Sequence, residues 1–166
     1  MEEKKYIVLP ESTNTLRLWI KTKKGEETVE YLEFNLKDIE LLDKYQKANE
    51  ESRKNREWIN NQFVIIDKKQ DFTKKGKIMS NNEELKYHAI KDFYKNQKEI
   101  YDMFLGKGGV DKLLYNRLFE WETIMEIEKI IQEQIIPNLN ITMDNITKEI
   151  KDKYKLDLNS KIEVLE

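Results

Sequence analysis

Alternating apolar and polar residues predict a β-hairpin near the start of the chain. In LRLWIK (16–21) every second side chain is aliphatic, and YLEFNL (31–36) repeats the pattern through Leu32, Phe34 and Leu36. Such alternation is typical of strands with one buried face. The connecting TKKGEE contains Gly25, which can adopt the positive φ of a tight turn. We therefore expect a hairpin over about residues 15–36.

A first helix is predicted over about residues 37–66. Asn35 can cap it, and Ile39, Leu42 and Tyr45 follow at helical spacing. We expect this apolar face to cover the buried side of the hairpin. The middle of the segment, QKANEESRKNRE (46–57), is polar on every side, so it is expected to be solvated or to interrupt the helix.

The second predicted helix, over about residues 80–105, has the clearest boundaries. SNNE places Ser80 at the N-cap and Glu83 three residues later, which is a capping box. Apolar residues recur on one face at Leu85, Ala89, Phe93, Ile100 and Phe104. Gly106, directly after this stripe, is predicted to end the helix.

The remaining helices are predicted from shorter stretches. They are expected over about residues 110–115, 119–136, where Pro137 ends the helix, and 142–155, where Thr142 acts as the cap. Residues 156–166 are predicted to form a flexible tail. The whole pattern predicts an α+β fold, in which an N-terminal β-hairpin or small antiparallel sheet precedes a mainly α-helical part within one domain, residues 1–155.

The glycine-rich stretch FLGKGGVDKLL (104–114) allows two interpretations. Backbone N–H groups at a helix start can bind phosphate. A P-loop, however, follows a strand and needs a Ser or Thr after its lysine, and this stretch follows a helix and lacks the hydroxyl. We therefore predict a helix-to-helix turn in which the VDKLL helix folds back against the helix that bears Phe93, Ile100 and Phe104.

Composition narrows the function classes. The chain has 166 residues, of which 39% are hydrophobic and 37% charged, and its 30 Lys and Arg nearly balance 32 Asp and Glu. A balanced charge gives no strong attraction for nucleic acid or anionic lipid. The N-terminal segment has no signal-peptide pattern and no apolar run could span a bilayer. We expect a cytoplasmic protein with neither membrane nor nucleic-acid partners.

Candidate catalytic chemistry is sparse. The chain has no cysteine and one histidine, His88, which is expected to be a partly buried structural residue. Neither a zinc site nor a Ser–His–Asp triad can be assembled in the usual way. We predict no catalytic, metal or cofactor-binding residues. KKQDFTKKGK (68–77) is basic around Phe72, which leaves a nucleic-acid-binding regulator as a less favoured alternative. An enzyme is also less favoured, because catalytic groups are lacking.

Two stretches together resemble a known family. KTKKGEETVEYLEFNLKDIELLDKYQKA (21–48) and DFYKNQKEIYDMFLGKGGVDKLLYNR (92–117) are similar to tail-assembly-chaperone-like proteins of phages and prophages of Gram-positive bacteria. In that family a hairpin passes directly into a helix, and an aromatic-rich helix later reaches a Phe-x-Gly-x-Gly turn followed by a short Lys-Leu-Leu helix. Lys107 departs from the acid that is common in this turn.

The resemblance implies a non-enzymatic factor of the host cytoplasm that binds and shields the tape-measure protein, or another tail protein, during virion assembly. The alternative is a structural subunit retained in the mature phage particle. Self-association into a homo-oligomer is left open. The residues expected to form the turn and its interaction surface are Phe104, Gly106, Gly108, Gly109, Lys112 and Leu113.

Overall fold

A two-stranded antiparallel sheet precedes a mainly helical region, which confirms the α+β class. The structure is a computed structural model that describes residues 4–9, 15–22, 24–36 and 38–154, without the side chains of 140–143 and 154. The predicted tail, residues 156–166, lies outside the described residues.

The predicted hairpin is formed by β1 (Thr15–Lys21) and β2 (Glu27–Asn35). Leu16 lies opposite Phe34 and Leu18 opposite Leu32, so one face of the sheet is apolar. Gly25 has a φ of +83°, and its N–H donates to the carbonyl of Thr22 in the turn. The glycine therefore has the role that the sequence predicted.

The first helix, α1, covers Leu41–Asp67 and begins later than predicted. Asn35 is the last residue of β2 and does not cap it; the Asp38 carboxylate instead accepts a hydrogen bond from the N–H of Glu40 at 3.0 Å. Leu41, the first residue of the helix, is buried, whereas Ile39 is 76% exposed and Leu42 is also exposed. The predicted burial of Ile39 and Leu42 is therefore wrong.

The polar middle of α1 is neither broken nor fully solvated. Ser52 and Asn55 are buried against α2 (Asn81–Leu105). The amide of Asn55 donates to the side-chain oxygen of Gln97 at 3.0 Å and to the carbonyl of Phe93 at 3.1 Å. Gln97, which is fully buried, donates to the Ser52 hydroxyl at 2.7 Å. Hydrogen bonding thus lets polar residues pack in the interface where hydrophobic spacing predicted a break.

α2 begins with the predicted capping box. The Ser80 hydroxyl accepts from the N–H of Glu83 at 3.2 Å, and the Glu83 carboxylate accepts from the N–H of Ser80 at 2.8 Å. The preceding loop is fixed by Asn82, whose amide donates to the carbonyls of Ile66 and Lys69. These bonds link the end of α1 to the start of α2.

The predicted stop at Pro137 is wrong. The short helix α3 (Gly109–Leu114) is followed by α4 (Trp121–Ile130), and the chain remains helical through a π-helical turn, Ile131–Ile135, into α5 (Ile136–Tyr154). Thr142 lies inside α5, so a separate helix beginning there is also wrong.

The π turn explains why the helix continues through Pro137 and why no separate helix begins at Thr142. In it the N–H of Ile136 donates to the carbonyl of Ile131, five residues back. Proline normally breaks a helix because it lacks an N–H and its ring clashes with the carbonyl four residues before it. The wider turn relaxes that constraint just ahead of Pro137. In an α-helix, residues four positions apart differ by about 40° around the helix axis, so a stripe with this spacing rotates away from the core. The π turn compensates for this rotation. Four apolar residues at this spacing therefore remain buried on one face: Ile127, Ile131, Ile135 and Leu139.

One cluster of buried apolar side chains includes members from β2 and from all the helices. At its centre Phe34 is 3% exposed, and its ring centroid lies 5.7 Å from that of Phe104 in α2. The Tyr45 ring of α1 lies 5.3 Å from Phe104 on another side. The hairpin is therefore joined to the helices through aromatic contacts as well as through the chain.

Replacing Phe34 with alanine is expected to reduce the free energy of unfolding by about 3–5 kcal/mol, because it removes a large side chain from the shared core. Val29→Ala, at an exposed position of the same strand, is the control and should change stability by less than about 0.5 kcal/mol. Denaturant unfolding followed by circular dichroism measures both. A Phe34→Ala loss below about 1 kcal/mol would show that the hairpin is peripheral to the core.

Candidate interaction surfaces

The glycine-rich stretch forms the predicted turn between α2 and α3. Gly106 follows the last residue of α2, and its N–H donates to the carbonyl of Asp102 at 2.9 Å. Its φ of +90° and ψ of +163° lie in a region that is essentially restricted to glycine. Gly108 has left-handed geometry, with φ +74° and ψ +7°, and immediately precedes α3. Two glycines therefore have conformations that other residues rarely adopt.

Gly109 is required for a different reason, because it lies at a close approach of two helices. A Cβ added at this position would stand 2.6 Å from the Cβ of Leu105. The next residue, Val110, is completely buried, and its N–H donates to the Asp102 carboxylate at 2.9 Å. This close fit confirms that the VDKLL helix folds back against α2.

Lys112 connects α3 to the sheet. Its ammonium group donates to the backbone carbonyl of Tyr31 in β2 at 3.2 Å and lies 5.7 Å from the centre of the Tyr31 ring. Leu113, beside it, is half-buried against the core. Phe104 is 4% exposed. Of the six predicted residues, Phe104 and the glycines build the turn and its anchor, whereas Lys112 and Leu113 are partly accessible.

A cleft of about 420 Å³ lies between α1, α2 and the helix formed by α4 and the π turn. Ala48, Phe104 and Ile131 contribute apolar lining, and polar side chains such as Asn60 and Gln132 line it as well. Arg56 of α1 forms an ion pair with Glu128 of α4 across it, and Glu128 also accepts a hydrogen bond from the Tyr101 hydroxyl at 2.6 Å. Sequence reasoning missed this cleft, since its residues come from polar stretches without a recognisable spacing.

Burial raises the pKa of the Tyr101 phenol above its ordinary value. The hydrogen bond that its hydroxyl donates to the Glu128 carboxylate favours the same protonated form, whereas the side chain of Gln97, the charge of Arg56 and the side chain of Ser52 lower the pKa. Tyr101 is therefore expected to remain neutral at physiological pH and to hold Glu128 in place as a hydrogen-bond donor.

Four exposed apolar residues lie between the end of α3 and the middle of α4. Trp121 is 52% exposed and Met125 is 47% exposed, and they are neighbours at positions i and i+4 of one helix. The preceding segment adds two more exposed residues, Tyr115 and Leu118. We call these four residues the α4 surface. Arg117 and Glu126, which form an ion pair, give it a polar border.

A second group of exposed apolar residues lies at the far end of the α1–α2 pair, around the connecting loop. It consists of Val64, Ile65, Phe72, Ile78 and Met79. The lysines of this loop are exposed, but Lys77 forms an ion pair with Glu84, and Asp71 accepts hydrogen bonds from the N–H groups of Phe72 and Asn82. Mixed charge therefore replaces the basic patch that the lysine-rich segment suggested.

His88 is exposed and packs beside the Tyr87 ring, with centroids 5.6 Å apart. The prediction that it is partly buried is therefore wrong, because the buried face of α2 passes through Asn82, Ala89 and Phe93 and leaves residue 88 outside. Within the described residues, no group of three or more acidic or histidine side chains is placed to hold a metal ion. No helix in the described part of the chain is long and apolar enough to cross a membrane.

Comparison with models of protein families, with curated proteins and with solved structures found no match.

Replacing Gly106 with alanine is expected to reduce the free energy of unfolding by about 1–3 kcal/mol, because its backbone conformation is strained for any residue with a Cβ. Lys107→Ala, at the exposed neighbouring position, is the control and should unfold like the parent. Thermal and denaturant unfolding measure the difference. A Gly106→Ala variant as stable as the parent would show that the turn can rearrange without glycine at this position.

Alkaline titration tests whether the pKa of Tyr101 in the cleft is raised. The folded-state pKa of Tyr101 is raised, so its contribution to stability is complete below the unfolded-state pKa of about 10 and is lost as the pH rises through the higher folded value. Tyrosinate absorbance of the parent should therefore show a late-ionising component, which Tyr101→Phe removes and Tyr115→Phe retains. A late component that persists in Tyr101→Phe would contradict the assignment.

Proposed function

We propose that this protein is a non-enzymatic phage tail assembly chaperone that binds and shields the tape-measure protein, or another helical tail protein, in the host cytoplasm. The α4 surface is the observation that carries the proposal. A tryptophan, a methionine, a tyrosine and a leucine, all within residues 115–125, remain exposed to solvent. Exposed apolar groups of this kind mark sites of protein–protein contact.

The chemistry of the α4 surface suits a helical partner. Trp, Tyr and Met are enriched in protein interfaces, since each contributes a large contact area, and Met adapts its shape to different side chains. An amphipathic helix presents apolar side chains at i, i+3, i+4 and i+7, which can pack across Trp121 and Met125. The ion pair of Arg117 and Glu126 beside them can exchange polar contacts with the charged flanks of such a helix.

The limited extent of the α4 surface suits a reversible role. Four side chains, each about half or more exposed, give a contact much smaller than a permanent interface. A tape-measure protein is a long helical chain with many apolar segments, so several chaperone molecules can bind along it weakly. Weak contacts allow the chaperone to be displaced when tail subunits assemble around the same segments.

The central test is capture of the partner from cells that express the whole phage genome, with the bound chain identified by mass spectrometry. The tape-measure protein is the expected partner, and the chaperone should be absent from finished particles. Retention of this protein in purified virions would instead support the alternative, a structural subunit. Capture of nucleic acid without a tail protein would contradict both.

Replacing Trp121 and Met125 together with alanine is expected to weaken binding to the captured partner by at least about tenfold, because central aromatic residues dominate interface energies. Phe72→Ala is the matched control, since Phe72 is 51% exposed but lies in the distant α1–α2 loop. Isothermal titration calorimetry measures the affinities, and the melting temperatures of both variants should match the parent. Loss of binding in Phe72→Ala alone would place the contact at the loop end instead.

A further inference from the structure

Residues 4–9, which we call the N-terminal arm, leave four consecutive large apolar side chains in water. Tyr6 is 80% exposed, Ile7 90%, Val8 88% and Leu9 80%. The arm forms neither helix nor strand, although aromatic and β-branched residues of this kind favour strands. Its apolar residues occupy successive positions, so as a strand it would present apolar side chains on both faces.

The sheet is incomplete at the outer edge of β1. Among the described residues it contains two strands, and β1 pairs on one side only. Leu32 and Phe34 of β2 are buried, whereas the core-facing residues of β1, Leu16, Leu18 and Ile20, are only half-buried. On the opposite face Trp19 is 60% exposed. A further strand beside β1 would cover apolar side chains on both faces.

The edge of β2 is less available than the edge of β1. On that side the Lys112 ammonium group already donates a hydrogen bond to the carbonyl of Tyr31 at 3.2 Å, and α3 packs against the strand. An unpaired edge strand offers a row of N–H and C=O groups to any extended segment. Among the residues that the structure describes, the outer edge of β1 therefore has the apolar neighbours that a new strand requires, and no strand pairs with it.

We propose that the arm of one copy of this chain pairs with β1 of a second copy, and that the two copies exchange arms reciprocally in a dimer. The lengths agree, because six arm residues extend about 20 Å and β1 has seven residues. The five residues 10–14 separate the arm from β1, and a chain of five residues spans at most about 17 Å. Within one copy the arm is not paired with β1.

Reciprocal exchange accounts for both the exposed apolar arm and the unpaired edge of β1. A two-fold axis makes both contacts identical, so each copy buries one arm and completes one sheet. Tyr6 and Val8 would lie on one face of the added strand, and Ile7 and Leu9 on the other. One of these pairs joins Leu16 and Leu18 at the core, and the other covers Trp19. This interface goes beyond the proposed function, because it requires no tail protein.

Analytical ultracentrifugation of the full chain, over a concentration series that reaches the millimolar range, tests the proposal. The parent should form a dimer. Val8→Lys should weaken dimerisation by at least about tenfold, because the lysine would enter the apolar interface. Val29→Lys is the matched control, since Val29 is 87% exposed on β2 away from the β1 edge, and it should dimerise like the parent. Circular dichroism should show equal helix content in all three proteins.

Hydrogen exchange of the same samples shows which segments the dimer covers. Amides of residues 4–9 should exchange slowly at dimer concentrations and rapidly after dilution or in Val8→Lys. A parent that is monomeric throughout would overturn the proposal, as would a dimer whose arm amides remain unprotected. Equal weakening by Val8→Lys and Val29→Lys would also overturn it, because the interface would then lie elsewhere.

Discussion

The second half of α2 is the element on which the other parts depend. Within residues 97–105 this helix contacts α1 through Gln97, α4 through Tyr101, α3 through Asp102, and β2 through Phe104. Three of these contacts are hydrogen bonds, one buried and two partly buried, and hydrogen bonds need correct geometry, whereas apolar packing tolerates small shifts. The network of Ser52, Asn55 and Gln97 therefore sets how α1 and α2 align, and the apolar core adds most of the favourable energy.

Features with local causes could be predicted from the sequence. The hairpin follows from period-two alternation around Gly25, the start of α2 follows from Ser80 and Glu83, and its end follows from Gly106. In each case the residue type itself supplies the physical reason, a turn conformation or a cap. The turn to α3 was predictable for the same reason, although the Gly-specific backbone of Gly106 differs from the left-handed cap that usually ends helices.

Features with distant causes could not be predicted. The polar middle of α1 is buried because Gln97, more than forty positions away, supplies hydrogen-bond partners for Ser52 and Asn55. Hydrophobic periodicity carries no signal for such a contact. Likewise Pro137 stays within a helix because a π turn precedes it, and the cleft joins Arg56 to Glu128 from separate helices. Each outcome depends on how elements meet, which a single sequence does not encode locally.

The two proposed contacts lie on different elements, and this separation has a consequence for binding. The arm and the β1 edge belong to the sheet, whereas Trp121 and Met125 belong to α4. A dimer formed through the edge of β1 uses neither Trp121 nor Met125. Two weak sites held together raise the effective concentration of the second contact and strengthen binding to a long partner with repeated apolar segments. Each contact would still dissociate rapidly by itself. Chaperone molecules could therefore be displaced one after another along the partner, although together they shield it stably.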